Sequence, residues 1–412
     1  MSRKIITLAI CIIILFLGIL YMFYPQIYTG IEKKPENIID EAEGKPFYVW
    51  QTIPPDAPHG RTISWLGRKN DTGLLELSYA EHCDVSYEAT VSSFDEATSV
   101  YTVKLRSLDP NTAYRYRVSS GAGFSDWYAF STPDENKLTL SAIIFGDSQS
   151  ADYSVWEKTA NEAYAKNADI DFFINMGDLV DNGMDLSQWR AWLGGIAKFS
   201  NAIPVAPVMG NHETYDLDWK PVGPKIFQLL FDVPENSSYG IQKHAYSFDY
   251  GPVHFVVLDT QLEEQQAALP NLFKEQAEWL DKDLAMSNLP WKIVLMHRQP
   301  WKIPLDGSLN NIGETFLPII SRHGVDAVFS AHIHSYSRTE PLSFGGSPAV
   351  YVSTGRSGDQ AWKNSPQKST DEEFFNPVSE PMYLKLDADM HKFAVKAYKQ
   401  DGSIIDEWQL QK

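Results

Sequence analysis

Leu140-Ser141-Ala142-Ile143-Ile144-Phe145 is an apolar run that stops at Gly146-Asp147-Ser148-Gln149, a glycine followed by polar side chains. The same change of texture recurs along the chain. Asp171-Phe172-Phe173-Ile174-Asn175 leads into Gly177-Asp178-Leu179-Val180-Asp181, Lys292-Ile293-Val294-Leu295-Met296 into His297, and Ala327-Val328-Phe329 into Ala331-His332-Ile333-His334. Gly210-Asn211-His212-Glu213 is a further cluster of this kind. Short apolar runs bounded by turn residues read as buried strands. The intervening stretches 156–168, 186–199 and 273–287 read as helices, so residues 138–412 are expected to form an α/β or mixed α+β layered domain. In such folds the carboxyl ends of the strands open on one crevice, where clusters far apart in sequence can meet.

The residue types in these clusters suit metal. Carboxylates, imidazoles and amide oxygens are ligands for hard or borderline ions, and a pair of ions needs one carboxylate to bridge them. Asp147, Gln149, Asp178, Asn211, His297, His332 and His334 are the candidate ligands, with Asp178 as the bridge. Two ions about 3.5–4 Å apart can clamp a phosphoryl group and acidify a water. His332 and His334 are two positions apart, so they can serve different ions only where the backbone bends. Taken singly, Asp147 is an ordinary turn residue, Asp178 a helix cap and Asn211 a left-handed turn residue. Their shared placement at strand ends favours the joint reading.

Upstream, residues 47–133 change character. Thr62-Ile63-Ser64-Trp65, Leu75-Glu76-Leu77-Ser78-Tyr79, Tyr101-Thr102-Val103-Lys104-Leu105 and Tyr114-Arg115-Tyr116-Arg117-Val118 alternate with period two and are separated by turns such as Asp109-Pro110-Asn111. That pattern predicts a small all-β sandwich of fibronectin III or immunoglobulin type. Residues 31–46 read as a charged stalk. Residues 1–30 carry Arg3 and Lys4 before an apolar run over 5–24 ending in Tyr21-Met22-Phe23-Tyr24, long enough to span a bilayer and with aromatics suited to its interface. A membrane anchor that stays in place is expected, with the large C-terminal part outside the cell membrane; the alternative is a signal cleaved on secretion.

The chain has 412 residues and a formal net charge of -18, with no run of Lys and Arg. Such a surface repels nucleic-acid backbones, so no nucleic-acid partner is expected. The two cysteines, Cys11 and Cys83, provide no disulfide framework.

The order Gly-Asp-x-x, Gly-Asp-x-x-Asp, Gly-Asn-His-Glu, His, then His-x-His resembles the calcineurin-like metallophosphoesterase superfamily. Two further stretches are most similar to purple acid phosphatases: Ala331-His332-Ile333-His334-Ser335-Tyr336-Ser337-Arg338 and Met296-His297-Arg298-Gln299-Pro300-Trp301. The resemblance spans nearly everything from Phe47 onward. It implies a metallophosphoesterase β-sandwich flanked by helices, behind the fibronectin III-like module. It further implies one metal on Asp147, Gln149, Asp178 and His334, and a second on Asp178, Asn211, His297 and His332. The ions would be divalent or trivalent, Fe, Mn or Zn. A hydroxide on the metals would attack a small phosphate ester, with His212 outside the metal sphere binding the phosphate and assisting the leaving alcohol.

Three positions depart from the pattern. Gln149 stands where many members have His, Asp181 where the purple enzymes have a metal-binding Tyr, and Ala331 where Gly is usual. The first two bear on which metal is held, and loss of the tyrosine implies loss of the purple colour. Phosphate monoesters are the expected substrates. The alternatives are diesters or nucleotides at the same site, or a non-catalytic surface-binding protein that uses the β-sandwich. Trp189, Trp192, Trp219 and Trp362 read first as packing residues, with Trp219 and Trp362, in loop-like stretches, also candidate substrate platforms.

Overall fold

The computed structural model of the chain describes residues 45–70, 72–79, 83–121, 123–302, 308–361, 372–376 and 378–412. The expected anchor and nearly all of the stalk lie outside them, as does Trp362. Among the described residues no helix is long and apolar enough to cross a membrane.

Two large sheets lie face to face. In the first, Thr139–Phe145, Phe172–Asn175 and Val205–Pro207 run parallel, with Met382–Asp389 antiparallel at their side. In the second, Val253–Leu258, Trp291–Met296, Ala327–Ser330 and Val350–Thr354 are parallel neighbours. Strand Val253–Leu258 shows why these runs are apolar throughout rather than alternating. Phe255 and Val257 enter the core between the sheets, whereas Val256 and Leu258 enter a second core beneath helices Leu272–Met286 and Asn311–Arg322. A strand covered on both faces has no polar side to display. Helices Tyr153–Lys166 and Leu186–Ile196 cover the first sheet, with Trp156, Trp189 and Trp192 fully buried against it. The result is the layered α/β domain that the apolar runs predict.

The expected β-sandwich is present, with Ile63, Trp65, Leu75, Leu77, Tyr101 and Tyr116 at its centre. One of its sheets, however, is not separate. Strand Phe47–Thr52 pairs with Gly60–Arg68 on one side and, through Thr52 and Val205, with Val205–Pro207 on the other. The first large sheet therefore runs through ten strands and both modules. Trp50 Nε1 donates to Leu230 O at 3.0 Å, and Gln51 Nε2 and Tyr116 Oη both donate to Asn201 O at 2.6 Å, which fixes the junction.

Helix Asn311–Arg322 was not expected from the sequence. Pro318 lies inside it and reads as a breaker, because a proline forfeits a helical N–H and its ring crowds the carbonyl four residues back. The helix buries Ile312, Phe316, Leu317 and Ile320 on one face and is capped by Asn310, whose side chain accepts from Gly313 N at 3.0 Å. Tertiary burial outweighs the local penalty.

Candidate metal centre

All five polar clusters follow parallel strands, and both sheets deliver theirs to one edge. Asp147 and Gln149 follow Thr139–Phe145, Asp178 follows Phe172–Asn175, and Asn211 and His212 follow Val205–Pro207, all from the first sheet. His297 follows Trp291–Met296 and the His332/His334 pair follows Ala327–Ser330, from the second.

Two overlapping groups result. Ligand atoms of Asp178, His297 and His332 lie within 4.8 Å of one another, as do those of Asp147, Asp178 and His334. Asp178 belongs to both, which is the geometry of a bridge. His332 and His334 have φ of +67° and +54°, so the backbone bends left-handed at each, and one imidazole joins each group. Asp178 itself has φ +48°. For residues other than glycine this region is uncommon and costs energy, and it clusters where function demands it. The loops also approach closely: a Cβ on Gly210 would meet Asp178 N and Oδ1 at 2.2 Å, and one on Gly177 would meet His297 Nδ1 at 2.6 Å.

The donor atoms are prepared for cations. Asp147 Oδ1, Gln149 Oε1 and Asn211 Oδ1 are buried without a hydrogen-bond partner. Buried polar atoms left so are costly, and a metal ion would satisfy them. The His297 Nδ1–H donates to Met176 O at 2.8 Å and the His334 Nδ1–H to Gln360 O at 2.6 Å. Because a carbonyl only accepts, these bonds fix the tautomer and turn each Nε2 to the centre, as metal-binding histidines require. His297 Nε2 lies 3.1 Å from Asp178 Oδ2, and His334 Nε2 lies 3.4 Å from Asp147 Oδ1. The set of carboxylate, imidazole and amide donors, with no thiolate, fits two hard or borderline ions.

His212 stands beside this group. Its Nδ1–H donates to Asp181 O at 2.6 Å, and Nε2 is 3.9 Å from Asp178 Oδ2. Burial lowers its pKa, but Asp178, Asp181 and Glu213 together outweigh burial and hold it above the usual histidine value. Burial likewise opposes the charge on Asp178, yet His297 and His212 hold its carboxyl well below the usual range. Asp181 accepts from His212 through its backbone carbonyl, its carboxylate lying 3.7 Å from the same nitrogen.

Several residues that bind the site together carried no role in the sequence reading. Glu213, fully enclosed, accepts from Asp178 N at 2.9 Å, Leu179 N at 2.8 Å and Gly210 N at 2.7 Å, tying two ligand loops together. Burial and Asp178 push it up to about 7, against those donors. Ser357 N and Gly358 N donate to Asp147 O at 2.8 and 3.0 Å. Trp192 Nε1 donates to Ser148 Oγ at 3.0 Å, so a core tryptophan also braces the first ligand loop. Only Glu213 had a signal, its place in Gly-Asn-His-Glu; the others are remote or featureless in sequence.

Residues 140–336 match the family model of the calcineurin-like phosphoesterases, and residues 49–132 that of the purple acid phosphatase N-terminal domain. The chain is 26% identical over 256 residues to purple acid phosphatase 21 of Arabidopsis thaliana, covering 60% of this chain and 55% of that protein. It is 25% identical over 317 residues to probable inactive purple acid phosphatase 27 of the same plant, covering 67% of this chain and 49% of that one. The chain thus spans about half the length of these curated relatives. The structure of a purple acid phosphatase from yellow lupin (Lupinus luteus) seeds shares the fold, with a TM-score of 0.75 at 22% identity over 89% of this chain and 74% of that chain. Such a family implies a dinuclear metal centre, in keeping with the two overlapping ligand groups. The chain therefore carries a calcineurin-like phosphoesterase domain, preceded by the N-terminal domain of the purple acid phosphatases.

Proposed function

We propose that this chain hydrolyses phosphate monoesters, with Asp147, Gln149, Asp178 and His334 holding one metal ion and Asp178, Asn211, His297 and His332 a second. The observation that carries the reading is Asp178, shared by two ligand groups among buried, unsatisfied oxygen atoms. When bound, the ions supply Lewis-acid stabilisation of the phosphoryl charge and make a water more acidic. The chain's own residues do the rest. Asp181 O holds the His212 Nδ1–H, which leaves Nε2 to face the phosphoryl group and the ester oxygen. His212 donates the Nε2 proton as the P–O ester bond breaks, so water and the ester give an alcohol and inorganic phosphate. Glu213 keeps the Asp178 and Gly210 loops in register while this happens.

The test is turnover of p-nitrophenyl phosphate and bis-p-nitrophenyl phosphate by the full chain, stripped of metal and then reloaded with Fe, Mn or Zn. Metal content is measured alongside. Metal-restored turnover of the monoester, abolished in Asp178→Asn and reduced at least ~100-fold in His212→Ala, supports the reading. Faster hydrolysis of the diester would reassign the substrate class, and no turnover in a folded, metal-loaded protein would overturn the reading. We further propose that residues 5–24 anchor the enzyme with its catalytic part outside the cell membrane, on the length and apolar character of that run. Recovery of the protein in the soluble fraction, or its protection from external protease on intact cells, would refute this.

A further inference from the structure

Trp219 is a large apolar side chain left half in solvent beside the metal centre, at 52% exposure. It stands on a built turn. Val222 N donates to Thr214 O at 2.7 Å, Asp216 N to Lys220 O at 2.9 Å, and Trp219 N to Asp216 O at 2.9 Å. Asp216 Oδ1 also accepts from Asp218 N and Lys220 N, and Asn182 Nδ2 donates to Asp216 O at 2.6 Å. Within this turn Trp219 takes φ +60°, the left-handed region that a glycine would fill without strain. A tryptophan kept there, at backbone cost and without burial, points to use of its exposed ring.

That ring is directed by its neighbours. It lies 5.7 Å from the His212 ring at 89° and 6.0 Å from the Tyr215 ring at 49°. Tyr215 is held in turn, its hydroxyl donating to Glu264 Oε1 at 2.9 Å, while Arg298 grips both oxygens of Glu264 at 2.6 and 3.1 Å. His212 Nε2 is 3.9 Å from the Asp178 carboxylate, so Trp219 stands one imidazole away from the ligand groups, next to the proton donor of the leaving group.

We propose that Trp219, with Tyr215 behind it, is the leaving-group subsite, and that the preferred monoesters carry a planar aromatic or heteroaromatic ring on the alcohol side. The proposal rests on the phosphoesterase reading above. Trp219 determines specificity and does not touch the reacting atoms: the ring of the ester packs on the indole while the phosphoryl group occupies the metal centre. Aromatic rings pair in stacked or edge-to-face arrangements, and such contacts tolerate many ring identities.

The experiment compares phenyl phosphate with propyl phosphate, using the metal-loaded full chain and the variants Trp219→Ala and Trp219→Phe. Trp219→Ala is expected to raise KM for phenyl phosphate roughly fivefold while leaving kcat for both esters and KM for propyl phosphate unchanged, with Trp219→Phe recovering most of the loss. An unchanged KM for phenyl phosphate would overturn the proposal. So would an equal fall in kcat on both esters, which would make Trp219 a brace for His212. If neither ester is turned over, the phosphoesterase reading fails by itself, and calorimetric binding of phenylphosphonate and propylphosphonate still decides the subsite. Tighter binding of the phenyl compound, lost in Trp219→Ala, supports it; equal affinities overturn it.

Discussion

Glu213 shows how one side chain can shape a candidate metal centre from outside its ligand groups. Its two oxygens accept three backbone N–H groups from loops that carry Asp178 and Asn211. Glu213→Gln replaces one acceptor by an NH2 group facing a donor, at a cost of about 2–3 kcal/mol. Lower denaturant stability and reduced metal content are expected together; unchanged metal content would show that the loops hold their places unaided. A second buried residue yields a pH dependence far from the centre. His254 Nδ1 lies 2.6 Å from Asp249 and Nε2 2.9 Å from Asp283. Burial works against its charge, but the two carboxylates prevail and raise its pKa to about 9. The folded value exceeds the unfolded one, so this stabilisation is complete below about pH 6.5 and is lost as pH rises through about 9. After allowance for screening at the exposed Asp249, it is on the order of 2 kcal/mol. Chemical denaturation of the native chain and His254→Gln at pH 6 and pH 10 checks this, with the difference between the two proteins expected at pH 6 only.

At the scale of elements, helix Asn311–Arg322 tests how capping competes with a breaker. Asn310 accepts from Gly313 N and donates to Gln299 O and Trp301 O at 2.9 and 3.0 Å, joining the helix start to the segment that follows His297. Asn310→Ala is expected to cost about 1–2 kcal/mol in a denaturant melt. The same helix marks where reading the sequence stopped short. Strand-and-cluster units such as 140–149 and 292–297 were legible because burial on both faces and an abrupt polar stop are local properties. Residues 311–322 were not, since Pro318 breaks the local pattern and only packing beneath the second sheet restores it. Asp147, Asp178 and the histidines were legible by residue type and order. The Ser357 and Gly358 amides that hold Asp147 were not, because backbone donors carry no signature in side-chain chemistry.

For the molecule as a whole, the pairing of Thr52 with Val205 matters most. Strand pairing across some 150 positions leaves no periodic trace in either partner, so the β-module looked separable. The shared sheet, the buried Trp50 and the Asn201 acceptor make the described residues of the two modules one mechanical piece. Scanning calorimetry is expected to show one cooperative transition for the modules and not two. Two resolved transitions would mean that the junction contributes little.

Each large sheet contributes candidate ligands to both of the overlapping groups, directly or through Asp178. Asp147 and Asp178 come from the first, and His297, His332 and His334 from the second. An ion seated among them is a cross-link between chain segments far apart in sequence, comparable in kind to a staple. It must be released before the sheets can part. Metal loading should therefore lengthen the lifetime of the folded protein as well as equip it for chemistry, and chelation should be felt first as faster unfolding.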